Sequence, residues 1–174
     1  KRIALRYETP WFNELLLSNL LSPVGGGPLS QFVSQQEYSK LLEQDGIGGN
    51  LLHEYRGTGE TRTSASVFGT HGNLSWGLDY YYRDAHGTRP NNEAALQELY
   101  GQIKWQPTSN DILYFLGKWA KQESGDNFDT YDNQALAPEV FFTEDQQPGL
   151  LLAGWNHRWG PGSHTLFLAG RLAG

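Results

Sequence analysis

The stretch Leu74-Ser-Trp-Gly-Leu-Asp-Tyr-Tyr-Tyr82 decides the fold, because its side chains change character at almost every second position. One set of alternate positions is apolar or aromatic and comprises Leu74, Trp76, Leu78, Tyr80 and Tyr82. The intervening set is smaller or more polar and comprises Ser75, Gly77, Asp79 and Tyr81, continuing to Arg83. A period of two over this length predicts a β-strand with one apolar and one polar face.

The same period recurs along the rest of the chain. Two earlier and weaker segments show it, Leu51–Arg56 and Thr63–Gly69. Four later segments show it as well: Leu99–Trp105, Leu113–Trp119, Leu151–Trp159 and Leu166–Leu172. Residues 47–174 are therefore predicted to form about seven amphipathic antiparallel strands.

The connections between these strands are of two lengths. Tight turns are predicted at Thr70–Asn73, Pro107–Asn110 and Gly160–Ser163, where Gly, Pro, Asn and Ser cluster. Long polar connections are predicted at Asp84–Ala94 and Gln122–Gly149. The two kinds alternate, so the tight turns lie at one end of the sheet. Bacterial outer-membrane barrels have this asymmetry, and their strands also have about this length.

Residues 1–46 have a different texture. The sequence predicts a short strand at Ile3–Tyr7, a helix at Trp11–Leu21 and a second helix at Gln35–Gln44. The second helix is marked by Ser34 and Glu37, which have the spacing of a capping box, and by Gly46 as its stop. We assign residues 1–46 as a strand and helix segment associated with a plug or with the periplasm.

Composition excludes several classes of protein. The 174 residues include 13 Lys and Arg against 19 Asp and Glu, and without basic clusters this acidic balance argues against a nucleic-acid partner. The absence of Cys excludes disulfide scaffolds and thiol chemistry. The absence of Met, even at position 1, predicts a processed chain or a piece of a longer one. Apolar runs are far shorter than the roughly 20 residues of a membrane-spanning helix, whereas barrel strands need no such run.

Residues Thr63–Asp126 resemble the barrel of outer-membrane transporters of the TonB-dependent-receptor type. The resemblance is one of hairpin style, and it rests on these segments: Ser66-Val-Phe-Gly69, Leu74–Asp84, Gly87-Thr-Arg-Pro-Asn91, Ile103-Lys-Trp105 and Leu113-Tyr-Phe115. It implies an antiparallel up-and-down transmembrane β-barrel, or part of one, in a bacterial outer membrane. It also implies a lipid bilayer, a small solute and an energy-coupling or periplasmic protein as partners.

The predicted strand number bears on completeness. Seven is odd, whereas bacterial single-chain barrels use an even number of strands from eight upward. Either the Ile3–Tyr7 strand closes a small barrel, or strands continue beyond the residues given. We favour the second interpretation, so 47–174 is predicted to hold an incomplete set of barrel hairpins.

The candidate functional residues are the polar side chains expected to face the lumen. In a barrel such groups line a channel or contact a plug and tune selectivity. They are Glu54, Arg56, Asp79, Arg83, Glu98, Gln102, Lys104, Lys118, Asn156, Arg158 and Arg171.

Metal and catalytic signals are weak. The segment Gln122–Pro148 holds seven acidic residues and no Lys or Arg, and Asp126, Asp129 and Asp132 in it could bind Ca²⁺ through carboxylate oxygens. Their spacing is not that of a calcium loop. The five His residues have no zinc-ligand spacing, and neither a phosphate-binding loop nor a nucleophile elbow is present. We therefore predict no enzyme and no resident cofactor.

Three hypotheses remain open from the sequence. The first is an outer-membrane barrel segment that binds and translocates a solute. The second is a soluble all-β module that binds carbohydrate or another ligand on Trp and Tyr side chains. The third is a structural surface protein assembled through edge strands.

Overall fold

The computed structural model describes residues 19–24, 45–87, 92–125 and 143–171, without the side chains of 143–148. Residues 19–21 are helical, as predicted for the last three residues of the Trp11–Leu21 helix, whose other residues lie outside the described ranges. The predicted elements Ile3–Tyr7 and Gln35–Gln44 lie outside the described residues, so the assignment of residues 1–46 stays a prediction.

Seven strands follow in chain order and form one antiparallel up-and-down sheet, in which each strand pairs with its neighbours in the sequence. All seven predicted strands are present. Their bounds are β1 Gly46–Arg56, β2 Glu60–His71, β3 Leu74–Ala85, β4 Ala94–Trp105, β5 Asp111–Ser124, β6 Thr143–Gly160 and β7 Ser163–Arg171.

The tight turns lie where the sequence places them, but both long connections are shorter than predicted. In Asp84–Ala94, Asp84 and Ala85 belong to β3 and pair with Ala95 and Ala94 of β4. Residues 72–73, 106–110 and 161–162 join strands at one edge of the sheet, which we call the turn edge. The opposite edge, the loop edge, carries the short turn 57–59 and the two longer connections. The predicted connection Gln122–Gly149 is wrong at both ends, because Gln122–Ser124 pairs with Thr143–Asp145. Ladder hydrogen bonds join backbones, so polar side chains do not prevent pairing.

The register separates two faces. Leu78, Gly101, Gly117 and Leu151 are successive cross-strand partners and lie on one face, which we call the apolar face. On the other, the polar face, Ser75, Lys104, Tyr114 and Gly154 form a similar row. β5 and β6 shift register between Lys118 and Ala120, and β6 and β7 shift between Arg158 and Gly160.

Exposure of the two faces is the reverse of that in a water-soluble sheet. Large side chains of the apolar face are exposed, among them Ile47, Leu51, Tyr55, Val67, Leu78, Ile103, Trp105, Phe115, Leu151, Trp159 and Phe167. The buried side chains of the strands lie on the polar face. Some are apolar, such as Phe68, Ile112, Tyr114, Leu116 and Leu152. Others are polar or charged, such as Ser75, Asp79, Gln102, Lys104 and Asn156.

A close approach explains one glycine on the apolar face. A Cβ on Gly69 would lie 2.8 Å from the carbonyl oxygen of Gly46 and 3.3 Å from the indole ring of Trp76. Gly69 therefore allows β1 to pair with β2 while the Trp76 ring covers the β2 backbone.

The sheet is open. Within the described residues β1 pairs only with β2 and β7 only with β6, so the seven strands do not close into a barrel. The antiparallel pairing of all seven strands confirms the predicted all-β antiparallel class.

Candidate functional site

Ten of the eleven candidate residues share the polar face. Glu54, Arg56, Asp79, Arg83, Glu98, Gln102, Lys104, Lys118, Asn156 and Arg158 occupy positions of the same parity in the ladder. Arg171 does not, because it pairs with Leu151 and lies on the apolar face. Including Arg171 in this set was wrong, since the central run Leu166-Phe-Leu168 is apolar on both faces of β7 and does not identify the polar one. Phe167 pairs with Trp155, whereas Leu166 and Leu168 point to the polar face.

Burial divides the ten residues. Asp79 is 1% exposed and Lys104 3% exposed, and Gln102 and Asn156 are also buried. A buried charge is costly unless other groups hydrogen-bond to it. These four residues thus occupy positions where the surrounding fold must supply polar partners.

The centre of the polar face is a hydrogen-bonded group around Gln102. The Tyr114 hydroxyl donates to Gln102 Oε1 at 2.9 Å, and the Tyr100 hydroxyl donates to the same oxygen at 3.4 Å. Tyr114 is 1% exposed. Sequence reasoning did not include Tyr114, although its position between Leu113 and Phe115 placed it on the polar face.

Residues 19–24 lie across this face near the turn edge. Leu20 is buried against Tyr114, Leu116 and Leu152. Its side chain occupies the space above Gly154, where a Cβ would lie 3.3 Å from the Leu20 methyl carbons. This apolar contact holds the segment against the polar face.

Three side chains of the sheet donate hydrogen bonds to the same segment. Lys104 Nζ lies 2.7 Å from Ser22 Oγ and 3.5 Å from the carbonyl oxygen of Pro23. Asn156 Nδ2 donates to the carbonyl of Leu20 at 3.3 Å, and Arg158 Nη2 to that of Leu21 at 3.5 Å. The last carbonyls of a helix have no partner within the helix, so these donors satisfy them.

Two buried side-chain oxygens beside this segment have no hydrogen-bond partner among the described residues. They are Ser75 Oγ and Asn156 Oδ1. Ser75 is the cross-strand partner of Lys104. Such groups cost free energy when they stay unsatisfied, which makes their position a candidate ligand contact.

A second polar cluster lies at the loop edge, around Glu60. Arg62 Nη2 lies 2.6 Å from Glu60 Oε1, Arg83 Nε lies 2.7 Å from it, and Arg56 Nη1 lies 3.3 Å from Oε2. Hydrogen bonds from Arg62 first, and then from Arg83, hold the pKa of the Glu60 carboxyl below its usual value. The sequence analysis named Arg56 and Arg83 but not Glu60 and Arg62. Both could have been found, because they occupy polar-face positions of β2.

Between these clusters Lys118 Nζ lies 3.4 Å from Glu98 Oε1 on the polar face. Both side chains are partly buried. The pair joins β4 to β5, and its charges balance one another.

At the turn edge, the Asp111 carboxylate is held by three donors. Trp155 Nε1 donates to Oδ1 at 3.0 Å and His157 Nδ1 lies 2.7 Å from it, while the Thr108 hydroxyl donates to Oδ2. The hydrogen bond from Thr108, followed by those from His157 and Trp155, lowers the pKa of Asp111 to about 2. This site ties β5 to β6 next to the turn.

The cation candidates Asp126, Asp129 and Asp132 lie outside the described residues, so Ca²⁺ binding there stays a prediction. Across the described ranges no three His, Asp or Glu side chains form a group suited to a metal ion. In the same ranges no helix is both long and apolar enough to cross a membrane.

Comparison with protein-family models, with curated proteins and with solved structures found no match.

Proposed function

We propose that this sheet is a segment of an outer-membrane β-barrel that takes part in binding a solute and moving it across the bacterial outer membrane. The polar face would line the lumen, and the apolar face would contact lipid. In this arrangement the protein is a transporter component and not an enzyme.

A single observation carries the proposal, namely the reversed exposure of the two faces. Leu78 on the apolar face is 49% exposed, whereas Asp79, the next residue, is 1% exposed. In water, a contiguous apolar surface across seven strands would promote association with other molecules. In lipid the same surface is well solvated, and buried polar side chains belong inside the barrel.

The positions of Trp side chains also support a membrane setting. Trp105 and Trp159 are exposed on the apolar face and lie near the turn edge. Aromatic side chains of outer-membrane barrels concentrate at the two interfaces between water and lipid. The turn edge would thus lie at one interface, with Asp111 and His157 on its aqueous side.

The proposal requires further strands. Lipid cannot hydrogen-bond to open strand edges, so a membrane-embedded sheet must close. β1 and β7 run in the same direction, because each successive strand of the seven reverses. Antiparallel closure therefore needs an odd number of additional strands between them.

Membrane fractionation of cells that make the native protein tests this proposal. We expect recovery in the outer-membrane fraction, extraction only with detergent, and a heat-dependent change in gel mobility. Conductance of the extracted protein in planar bilayers then tests translocation. Recovery in a detergent-free soluble fraction would contradict the proposal and favour a soluble ligand-binding module, for which glycan binding is the next measurement.

A further inference from the structure

We propose that Lys104, Asn156 and Arg158 form a binding site for an oxyanion carried by the solute, such as a phosphate or carboxylate group, and that residues 20–23 occupy this site as an internal substitute. The inference deepens the proposed function and rests on it where the oxyanion belongs to a transported solute. Binding of the oxyanion itself does not depend on the membrane setting.

The three side chains now donate hydrogen bonds to oxygen atoms of residues 20–23. Residues 20–23 present four acceptor oxygens to them: the carbonyls of Leu20, Leu21 and Pro23, and the Ser22 hydroxyl. All four oxygens are uncharged, whereas two of the three donor side chains carry a positive charge. Oxygens that carry negative charge would be attracted more strongly by the two cationic donors than these neutral oxygens are.

Two buried oxygens at the site, Ser75 Oγ and Asn156 Oδ1, have no hydrogen-bond partner among the described residues. Ser75 is fully buried next to Lys104, and its hydroxyl can donate a hydrogen bond that no described residue accepts. Asn156 is also buried, and only its amide nitrogen has a described partner. The site thus holds an additional buried donor that residues 20–23 do not use.

The described part of the polar face also carries more positive than negative side chains. Outside 143–148, the described strands place six Lys and Arg residues on the polar face against four Asp and Glu, although the whole chain has a net charge of −6. Near the loop edge, Glu60 forms ion pairs with Arg62 and Arg83, and Glu98 forms one with Lys118. Asp79 stands four residues along β3 from Ser75, about 13 Å away in an extended strand. The described polar face therefore carries an excess of cationic side chains, and two of them, Lys104 and Arg158, contact residues 20–23.

The site requires residues 20–23 to move aside when an oxyanion enters. The competition makes a specific prediction, because weakening the internal contact must strengthen binding of the ligand. Ser22→Ala removes the oxygen that lies 2.7 Å from Lys104 Nζ and leaves the sheet unchanged.

Calorimetric titration of the detergent-solubilised full chain with inorganic phosphate in a chloride buffer tests the inference. We expect Lys104→Gln and Arg158→Gln each to weaken phosphate binding by about tenfold or more, the value of one charge-assisted hydrogen bond. Ser22→Ala should tighten binding by about tenfold, the value of one hydrogen bond to a charged group. Arg171→Gln is the matched control, since it removes the same charge as Arg158→Gln from the opposite face, and it should leave the affinity unchanged.

Two results would overturn the inference. One is the absence of phosphate binding in both the wild-type protein and Ser22→Ala, and the other is an equal loss in Arg158→Gln and Arg171→Gln. If burial of position 104 prevents Lys104→Gln from folding, the exposed Arg158 decides the comparison alone. Failure of the membrane proposal is recognised separately, because fractionation and heat modifiability do not involve phosphate.

Discussion

At the scale of single residues, Asp111 makes contacts beside a turn that depend on its carboxylate being ionised. Its carboxylate accepts hydrogen bonds from Thr108 and from Trp155, and His157 lies at hydrogen-bond distance. The pKa of about 2 lies below the value of about 3.9 for an unperturbed Asp. The folded state therefore favours the ionised carboxyl more strongly than the unfolded state does.

This difference predicts a pH dependence. A lowered pKa in the folded state contributes stability that is present above about pH 4 and is lost as the pH falls toward 2. We expect Asp111→Asn to be less stable than the wild type at neutral pH, and the gap to close in acid. Acid titration of the urea midpoint, followed by Trp fluorescence, measures both curves, and a constant gap from pH 7 to pH 2 would exclude this role.

The environments of the two faces predict costs of different size for the same Leu→Arg substitution. Leu78→Arg, near the middle of the apolar face, should cost about 2–4 kcal/mol if lipid surrounds that face. Leu52→Arg is the matched control, because Leu52 is 53% exposed, similar to Leu78 at 49%, but lies on the polar face at the edge strand. We expect its effect to stay within about 0.5 kcal/mol.

Urea unfolding of protein refolded into lipid vesicles measures the free energies of both Leu→Arg variants. Equal costs for the two variants would count against a lipid-facing surface. If instead the wild type folded in detergent-free buffer and Leu78→Arg did not, the apolar face would be an ordinary core.

At the scale of elements, much of the sheet could be predicted because strand parity is a local property. Leu74–Tyr82 displays both faces in nine residues, and the register leaves its apolar and polar sets as predicted. The extension of β5 and β6 through Gln122–Ser124 and Thr143–Gly149 could not be predicted, because their side chains are polar and only backbone pairing defines them. In β7 the run Leu166-Phe-Leu168 is apolar on both faces, so its pattern does not identify the polar face.

The site was predictable only in part. Parity placed Gln102, Lys104 and Asn156 on one face, but their contacts depend on partners far away in the sequence. The hydrogen bond between Lys104 and Ser22 spans 82 positions. Glu60 likewise gains Arg83 through the β2–β3 pairing and not through any sequence motif. Pattern analysis finds which residues share a surface, whereas tertiary pairing decides which of them meet.

Pairing of β1 with β2 depends on the missing side chain of Gly69, which yields a prediction at this scale. Gly69→Ala should push the Gly46 carbonyl and the Trp76 ring away and cost about 1–3 kcal/mol, the range for overpacking. Gly57→Ala is the control, since a Cβ there meets nothing within 4 Å. Hydrogen exchange should show faster amide exchange in β1 for Gly69→Ala alone, and unchanged β1 protection would refute the steric explanation.

At the scale of the whole molecule, the open edges matter most. β1 carries exposed Ile47, Leu51, Leu52 and Tyr55, and among the described residues it pairs only with β2. An exposed, hydrophobic edge strand is a template for pairing with another chain. The β1 edge of the described sheet is therefore able to accept a partner strand, whether it comes from the same polypeptide or from another.

We accordingly expect the 174-residue chain to associate in mild detergent through its edges. Leu51→Lys on β1 should shift the population toward monomer, because an edge lysine opposes strand addition. Val67→Lys is the control, as it adds the same charge to the same face of the interior strand β2. Light scattering after size-exclusion chromatography gives the masses, and equal dissociation by both variants would assign association to the apolar face instead of the edge.

The odd number of strands has a consequence for how the polypeptide enters and leaves the sheet. β1 starts at the turn edge, where the Asp45 carboxylate accepts a hydrogen bond from the Gly72 amide at 2.8 Å, and β7 finishes toward the loop edge. Residues 45 and 171 are therefore displaced along the strand direction instead of meeting at one rim. In a membrane, a label at position 45 would report from the water at the turn edge, whereas position 171, which shares a cross-strand row with Leu78, would report from within the bilayer.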